Sequence, residues 1–283
     1  RWKTLQKKVF KPEKLIKNMG RTIGIVSLKG GVGKTSTTVA LGAAMSEFNK
    51  NVLLVDADFS SPNLGFHLNI INPEKTLHEV LKNLVNIKDA IYQVGKLHVL
   101  PSSLFNRGNI INPFRLKDKL RLVKDNYDYI IIDSPPAVDD NALATMLACD
   151  EVLFVLTPDY TSLGTTLKSI QIAKQRGVPI SGLILNRVYD KNFELPIEEI
   201  EKISGVPVMA VIPHDVNILK AQAEFVPSTI YKPNSGGSLE FKKLAATLMG
   251  ERFKPFNFFS LFGSPVPKRQ EVNRQIYYTR VFK

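Results

Sequence analysis

Short apolar runs alternate with longer amphipathic stretches along residues 22–250. Several of the apolar runs consist almost entirely of β-branched or aliphatic residues, which is typical of strands buried on both faces. The predicted strands are Thr22–Leu28, Val52–Asp56, Leu97–Pro101, Tyr129–Asp133, Glu151–Leu156, Ile180–Asn186 and Val206–Ile212. Helical patterns separate these strands. The chain therefore predicts an α/β fold with a mostly parallel, twisted sheet that carries helices on both faces.

Three of the helical patterns carry signals for their ends. Thr76 and Glu79 have the spacing of a capping box at the start of one helix. Pro113 suits the first turn of a second helix. A third helix, Ser162–Arg176, is expected to stop at Gly177.

The net charge of +12 lies at the two ends of the 283-residue chain. Residues 1–21 hold eight Lys or Arg and one acid, residues 251–283 hold seven and two, and residues 22–250 hold 23 of each sign. We therefore predict a basic N-terminal extension (1–20), a neutral body (21–250) and a basic C-terminal tail (251–283). Basic tails are attracted to anionic polymers or anionic lipid, although they also occur as solvated segments that keep a protein soluble.

Composition excludes several classes of protein. Hydrophobic residues make up 44% of the chain and charged residues 23%, which is ordinary for a globular protein. Cys149 is the single cysteine, so an intramolecular disulfide framework and an all-cysteine zinc site are both excluded. The sequence contains no run of 18 apolar residues, so it predicts no transmembrane helix. The basic start is not followed by the hydrophobic stretch of a secretion signal. We therefore expect a cytoplasmic protein.

The clearest chemical motif follows the first predicted strand. It reads Lys29-Gly30-Gly31-Val32-Gly33-Lys34-Thr35-Ser36. The glycines let backbone N–H groups converge on phosphate oxygens, and the start of the next helix adds partial positive charge. Lys34 would neutralise the β/γ-phosphates of ATP and the Thr35 hydroxyl would bind Mg²⁺. The ordinary Walker A pattern requires glycine where this chain has Leu28, so the motif is a variant with a second lysine, Lys29.

Three aspartates follow apolar runs at predicted strand ends. They are Asp56, Asp58 and Asp133. The carboxyl ends of parallel strands open onto the crevice in which ligands bind. Asp133 therefore suits a Walker B carboxylate that holds Mg²⁺ directly or through water. The alternative is that strand-end aspartates only cap the following turns or helices.

The phosphate-loop motif resembles the deviant Walker A motif of the MinD/ParA family of P-loop ATPases. Further similar stretches are Val52–Asp58, Tyr129–Pro135, Leu185–Arg187 and Val211–Pro213. Their order is most similar to the MinD branch, particularly its archaeal members. The resemblance implies a three-layer P-loop fold, ATP hydrolysis with Mg²⁺, and an ATP-dependent homodimer in which Lys29 reaches the partner's phosphates.

The resemblance also assigns roles to individual residues. It implies that Asp58 orients the attacking water and that Asp56 supports the hydration of Mg²⁺. Asn186 would contact the adenine edge and Pro213 would pack on the base, whereas an asparagine at a strand end is otherwise a common turn former. Relatives of the MinD type carry an acidic residue near the start of the helix after Pro158. Residues 162–167 contain none, so a MinE- or MinC-like partner is not assumed.

The C-terminal tail has an unusual aromatic segment. Residues 253–262 hold five of the sixteen phenylalanines, and a short helix is predicted over Phe256–Phe262. The segment is too short to span a bilayer but suits its interface, with basic residues on either side. It resembles the membrane-targeting sequence of MinD in position and aromatic content. The alternative is that the phenylalanines fold back on the body or dock on a partner.

These observations favour an ATP-driven spatial regulator. ATP would join two subunits, and the dimer would present two weak anchors to the inner face of the cell membrane. Hydrolysis, stimulated by an activating protein, would then release the dimer. A ParA-like partition ATPase that binds DNA without sequence preference is the alternative, although the neutral body leaves only the tails for such binding. A carrier of a dimer-bridging iron–sulfur cluster is excluded by the single cysteine.

Overall fold

A computed structural model describes residues 20–104, 111–136, 139–253 and 268–282. Its strands are β1 (Arg21–Val26), β2 (Val52–Asp56), β3 (Tyr92–Val94), β4 (Leu97–Leu100), β5 (Tyr129–Asp133), β6 (Glu151–Leu156), β7 (Ile180–Val188) and β8 (Val208–Pro213). They form a sheet in the order β3-β4-β2-β5-β1-β6-β7-β8. All neighbours are parallel except β3 and β4. The predicted α/β class is therefore confirmed.

Helices cover both faces of the sheet. They are α1 (Lys34–Glu47), α2 (Leu64–His67), α3 (Leu77–Leu81), α4 (Leu116–Arg121), α5 (Asp140–Ala148), α6 (Tyr160–Gln175), α7 (Ile197–Ser204), α8 (Val216–Ala223), α9 (Ser228–Tyr231), α10 (Gly236–Met249) and α11 (Arg269–Phe282). Short 3₁₀ turns lie at Ile87–Ala90, Pro113–Arg115 and Lys124–Asn126. One core, around Phe241, includes residues of α1 and α10, and the other, around Phe154, includes residues of α3 to α7. The predicted three layers are thus present.

The register of the central strands positions the site. Asp56 of β2 pairs with Asp133 of β5, and Ile25 of β1 pairs with Asp133 on the other side. The loops that follow β1, β2 and β5 therefore emerge side by side at the carboxyl edge of the sheet. This edge is the crevice that the strand-end aspartates predict.

Most predicted elements occur within two residues of their expected bounds. The strand expected from Val206 begins at Val208 because Pro207 has no N–H to give to a ladder. Strand β3 is missing from the prediction, since it has three residues, none of them buried. The capping box of Thr76 and Glu79 is present at the start of α3.

Helix α11 is not predicted by the sequence, which places its residues in the basic tail. In the structure it packs along β8 and α10 through buried polar groups. Arg274 forms an ion pair with Glu240 at 2.7 Å and donates to the Met209 carbonyl at 3.0 Å. Asn273 donates to the Val208 carbonyl at 2.7 Å. Because these carbonyls lie on the edge strand β8, α11 covers an edge that would otherwise be open.

The same helix is fixed to the start of the sheet. Tyr277 donates to Glu151 at 3.0 Å, and Arg21 lies 2.7 Å from the same carboxylate. Burial and the charge of Glu151 raise the pKa of Tyr277 above its ordinary value. Residues 268–282 therefore belong to the folded body. The predicted helix over Phe256–Phe262 lies outside the described residues.

No helix in the described part of the chain is long and apolar enough to cross a bilayer. The longest, α6, has 16 residues and a polar face of lysines and threonines.

We predict that Arg274→Ala lowers the free energy of unfolding by about 3 kcal/mol, because it removes the 2.7 Å ion-pair partner of the buried Glu240 and leaves Lys243, 4.0 Å away, as its cation. Urea unfolding measures this change. Arg280→Ala, on the exposed side of the same helix, is the matched control and should change stability by less than about 0.5 kcal/mol. Equal effects of the two substitutions would contradict the docking that we describe for α11.

Candidate nucleotide site

The loop between β1 and α1 forms an open cradle. Gly31 and Gly33 have φ of 74° and 93°, a conformation that glycine adopts without strain. A Cβ atom at Gly33 would lie 2.3 Å from Nδ2 of Asn186, whereas at Gly30 and Gly31 it would meet nothing within 4 Å. No side chain caps the start of α1. The first turn of this helix therefore has the geometry of an anion site.

Lys34, Thr35 and Asp133 meet at the start of α1. The Thr35 hydroxyl donates to Asp133 Oδ2 at 2.6 Å, and the Thr38 hydroxyl lies 3.4 Å from Oδ1. Burial raises the pKa of Asp133 to about 6, although the hydrogen bond from Thr35 and the charge of Lys34 oppose this shift. Burial also lowers the pKa of Lys34, with Asp133 and Asp58 acting in the opposite direction.

Asp56 and Asp58 shape the loop that follows β2. The two oxygens of Asp56 accept backbone N–H groups of Asp58 and Leu64, each at 3.1 Å. Asp58 Oδ1 accepts from Ser60 at 3.2 Å and from Ser61 at 2.9 Å. Burial, followed by repulsion from Asp133, raises the pKa of Asp56 well above its usual range. Asp56 thus already serves as the anchor of this loop.

The site concentrates acidic side chains in a buried setting. Asp56, Asp58 and Asp133 are 0%, 6% and 2% exposed, and Lys34 is the basic group whose charge acts on Asp133. Among the described residues, no group of three His, Cys, Asp or Glu side chains is arranged to hold a metal alone. Mg²⁺ prefers few protein oxygens and completes its shell with phosphate oxygens and water. Thr35 and Asp133 fit this donor set.

A cavity of about 220 Å³ adjoins the cradle. Asn186 and Pro213 line it together with Gly33. The Asn186 amide donates to the Val32 carbonyl at 2.7 Å, so this residue ties β7 to the phosphate loop. The two residues expected at the adenine therefore line a cavity beside the cradle.

Two further side chains of this cavity were not predicted from the sequence. The ring of Tyr189 stacks on that of His214, with centroids 4.4 Å apart and an interplanar angle of 19°. Both residues line the cavity. They follow β7 and β8, which are neighbours in the sheet but lie far apart in sequence. No local sequence pattern predicts that these two rings are in contact.

Lys29 points away from the carboxylates of its own site. Its Nζ lies 3.2 Å and 3.3 Å from the two carboxylate oxygens of Asp159, the residue that caps α6. Although burial acts to raise the pKa of Asp159, hydrogen bonds from Thr157, Ser162 and Lys29 lower it. Residues 162–167 contain no acid, but Asp159 at the cap of this helix is the acidic residue near its start. The signal was the spacing from Asp159 to Ser162, which is typical of a helix start.

The predicted site residues thus fall into three places. The cradle and the strand ends beside it contain Gly30, Gly31, Val32, Gly33, Lys34, Thr35, Ser36, Asp56, Asp58 and Asp133. The adjoining cavity contains Asn186 and Pro213. Lys29 stands apart from both on the rim, in contact with Asp159.

The chain is similar in sequence to known proteins. Residues 20–178 match the profile of a family described as an AAA domain. An uncharacterized ATP-binding protein of Methanocaldococcus jannaschii is 33% identical over 238 residues, which cover 83% of this chain and 90% of that protein. The sporulation initiation inhibitor protein Soj of Bacillus subtilis is 31% identical over 247 residues, or 80% and 97% of the two chains.

The fold of this chain is also similar to solved structures. The cell division ATPase MinD of Pyrococcus furiosus superposes with a TM-score of 0.76 at 36% identity, covering 82% of this chain and 99% of that one. The chain belongs to the MinD/ParA family of P-loop ATPases. The septum site-determining protein MinD of Pyrococcus horikoshii, solved in complex with Mg-ADP, superposes with a TM-score of 0.77 at 36% identity. The match covers 81% of this chain and 96% of that one. Nucleotide and magnesium are therefore used within this family.

We predict that Asp133→Asn stabilises the nucleotide-free protein at pH 7.5 by roughly 1–3 kcal/mol, because it removes a buried charge. The pKa of this carboxyl is raised on folding, so its contribution to stability is lost as the pH rises through about 6. The gain from Asp133→Asn should therefore shrink between pH 6 and pH 4.

Urea unfolding in EDTA at pH 7.5 and pH 4.5 measures both values. Asp118→Asn, an exposed carboxyl, is the matched control and should show neither effect. A gain that does not vary with pH, or a loss of stability at pH 7.5, would contradict the raised pKa of Asp133.

Proposed function

We propose that this MinD/ParA-family protein hydrolyses ATP and uses the reaction to switch its own association with the membrane. The observation that supports hydrolysis is the meeting of Lys34, Thr35 and Asp133 at the uncapped start of α1. Phosphoryl transfer requires mainly positioning and the neutralisation of charge, so this small set is sufficient for a slow reaction. We expect an activating protein to accelerate it.

Each residue of the set has a separate task. The backbone of the glycine loop and Lys34 bind the phosphates, and Thr35 and Asp133 hold Mg²⁺. Mg²⁺, when bound, neutralises the charge that develops on the phosphate oxygens. Asp58 orients the attacking water from the loop after β2, and Asp56 holds that loop in place. Asn186 and Pro213 bind the adenine in the adjoining cavity.

Lys29 provides the proposed switch. Its ion pair with Asp159 is partly solvated, since the two side chains are 34% and 44% exposed. Such pairs contribute about 0–1 kcal/mol, so the lysine is released at little cost. We infer that Lys29 leaves Asp159 when two ATP-bound copies meet and then contacts the phosphates of the partner. A homodimer held in this way dissociates when the γ-phosphate is lost.

The proposed membrane contact lies in residues 253–262. Phe253, the first residue of this segment, packs edge-on against Phe48, with ring centroids 5.8 Å apart. Arg252, Lys254 and Lys268 lie within or beside this segment and suit anionic headgroups. One segment of this length binds a bilayer weakly, and the dimer presents two. Curated relatives include septum site-determining proteins MinD, which supports a role in spatial regulation at the inner face of the membrane.

We predict that Lys29→Ala abolishes ATP-dependent dimerisation, because no other group would bridge the two sites. Analytical ultracentrifugation with a non-hydrolysable ATP analogue measures it. Asp159→Asn is the matched control, since it removes the same ion pair but leaves the lysine, and it should dimerise at least as well as the parent. The proposed switch fails if Lys29→Ala dimerises normally or if both variants lose the dimer.

We predict that the ATP-bound protein co-sediments with phosphatidylglycerol vesicles and that the ADP-bound protein does not. Phe258→Ser with Phe259→Ser should reduce this binding at least tenfold, since about 1.5–3 kcal/mol is lost for each buried phenylalanine. Phe193→Ser, an exposed phenylalanine of the body, is the matched control. Equal binding with ATP and ADP would refute the membrane switch. Steeply salt-dependent binding to DNA in place of vesicles would favour the ParA-like alternative.

A further inference from the structure

His78 on α3 lies against the loop that carries Asp58. It is 4% exposed, and its ring meets that of Phe59 edge-on, with centroids 5.4 Å apart and an angle of 82°. On the opposite side, Nδ1 accepts a hydrogen bond from the Ser103 N–H at 3.3 Å. His78 therefore connects the loop after β2 with the loop after β4.

The protonation state of His78 suits both contacts. Burial lowers its pKa, although Glu79 and a hydrogen bond to the Phe59 backbone act to raise it. The ring is therefore neutral near pH 7. A neutral imidazole has one acceptor and one donor. Because Nδ1 accepts from Ser103, the proton is on Nε2, where it is available to the Phe59 backbone.

The loop after β2 is otherwise fixed mainly at its ends. Asp56 binds the N–H groups of Asp58 and Leu64, and the Ser102 hydroxyl donates to the Asp56 carbonyl at 2.8 Å. The bonds from Ser60 and Ser61 to Asp58 lie within the loop. They orient the carboxylate relative to the loop but do not tie the middle of the loop to the body. Phe59 supplies that tie, since it packs against the buried core and edge-on against the His78 ring.

His78 stands on a rigid support. The capping box of Thr76 and Glu79 closes the first turn of α3, and the Leu77 N–H donates to the Pro101 carbonyl at 2.9 Å. Leu77 and Val80 are fully buried beside it. A side chain on a short, well-anchored helix holds a loop more firmly than one on a second loop would.

We propose that His78 is a positioning residue for hydrolysis: it holds Phe59 and thereby sets the place of Asp58 and of the attacking water. This inference rests on the proposed ATPase function. His78 contacts none of the cradle residues, so it should leave nucleotide binding unchanged. A displacement of about 1 Å at the attacking group costs up to about a hundredfold in rate.

Three substitutions separate the contacts of His78. His78→Leu keeps the volume but removes the hydrogen bond from Ser103 and the imidazole contact with Phe59. It should lower kcat roughly ten- to hundredfold with KM for ATP changed less than about twofold. His78→Gln places a donor near Nε2 and should restore part of kcat. His98→Leu is the matched control, because His98 also meets a ring edge-on, that of Tyr127 at 5.3 Å, but lies on β4 away from this loop. It should leave kcat unchanged.

Amide hydrogen exchange provides a readout that does not depend on activity. The N–H groups of Ser60 and Ser61 should exchange faster in His78→Leu than in His98→Leu, both measured with Mg-ADP. An unchanged kcat in His78→Leu, or a rise of KM without a fall in kcat, would overturn the inference. If the parent hydrolysed no ATP, the proposed function would fail. Exchange at Ser60 and Ser61 would then decide the role of His78, and unchanged rates would overturn it.

Discussion

The site depends on a cluster of carboxylates that parallel strands force together. Asp56 and Asp133 end neighbouring strands in register, and Asp58 follows two residues later. All three are buried, and burial together with mutual repulsion raises the pKa of Asp56 and of Asp133. Such a cluster costs free energy until a cation arrives. On the function proposed above, Mg²⁺ bound with a phosphate-bearing ligand would remove this cost.

The two lysines of the phosphate loop differ in physical setting, and under the proposed function this difference would separate nucleotide binding from dimer switching. Lys34 is buried among the carboxylates and belongs permanently to its own site. Lys29 is partly exposed on the rim, where the cap of α6 holds it weakly. A permanent group suits the phosphates of the bound nucleotide. An exchangeable group suits a contact that forms only when a second subunit is present.

The sequence predicted those parts of the structure that local patterns determine. Continuous apolar runs located the seven longer strands, and their parallel order brought Asp56 and Asp133 to one edge. Strand β3 is too short to show a period. Helix α11 buries Asn273 and Arg274 and exposes Ile276, so its pattern is the reverse of an amphipathic helix. The contacts of Tyr189 and His78 depend on tertiary packing and have no sequence signal.

The central claim is that Asp133 carries a raised pKa until the magnesium–nucleotide neutralises the cluster. Carbon-13 NMR titration of the aspartate carboxyl groups tests it directly, with the Asp133 signal assigned by its loss in Asp133→Asn. We expect this carboxyl to titrate near pH 6 in the nucleotide-free protein. With Mg-ADP bound, it should stay ionised well below that pH. Titration near its ordinary pKa of about 3.9 in both states would contradict the account.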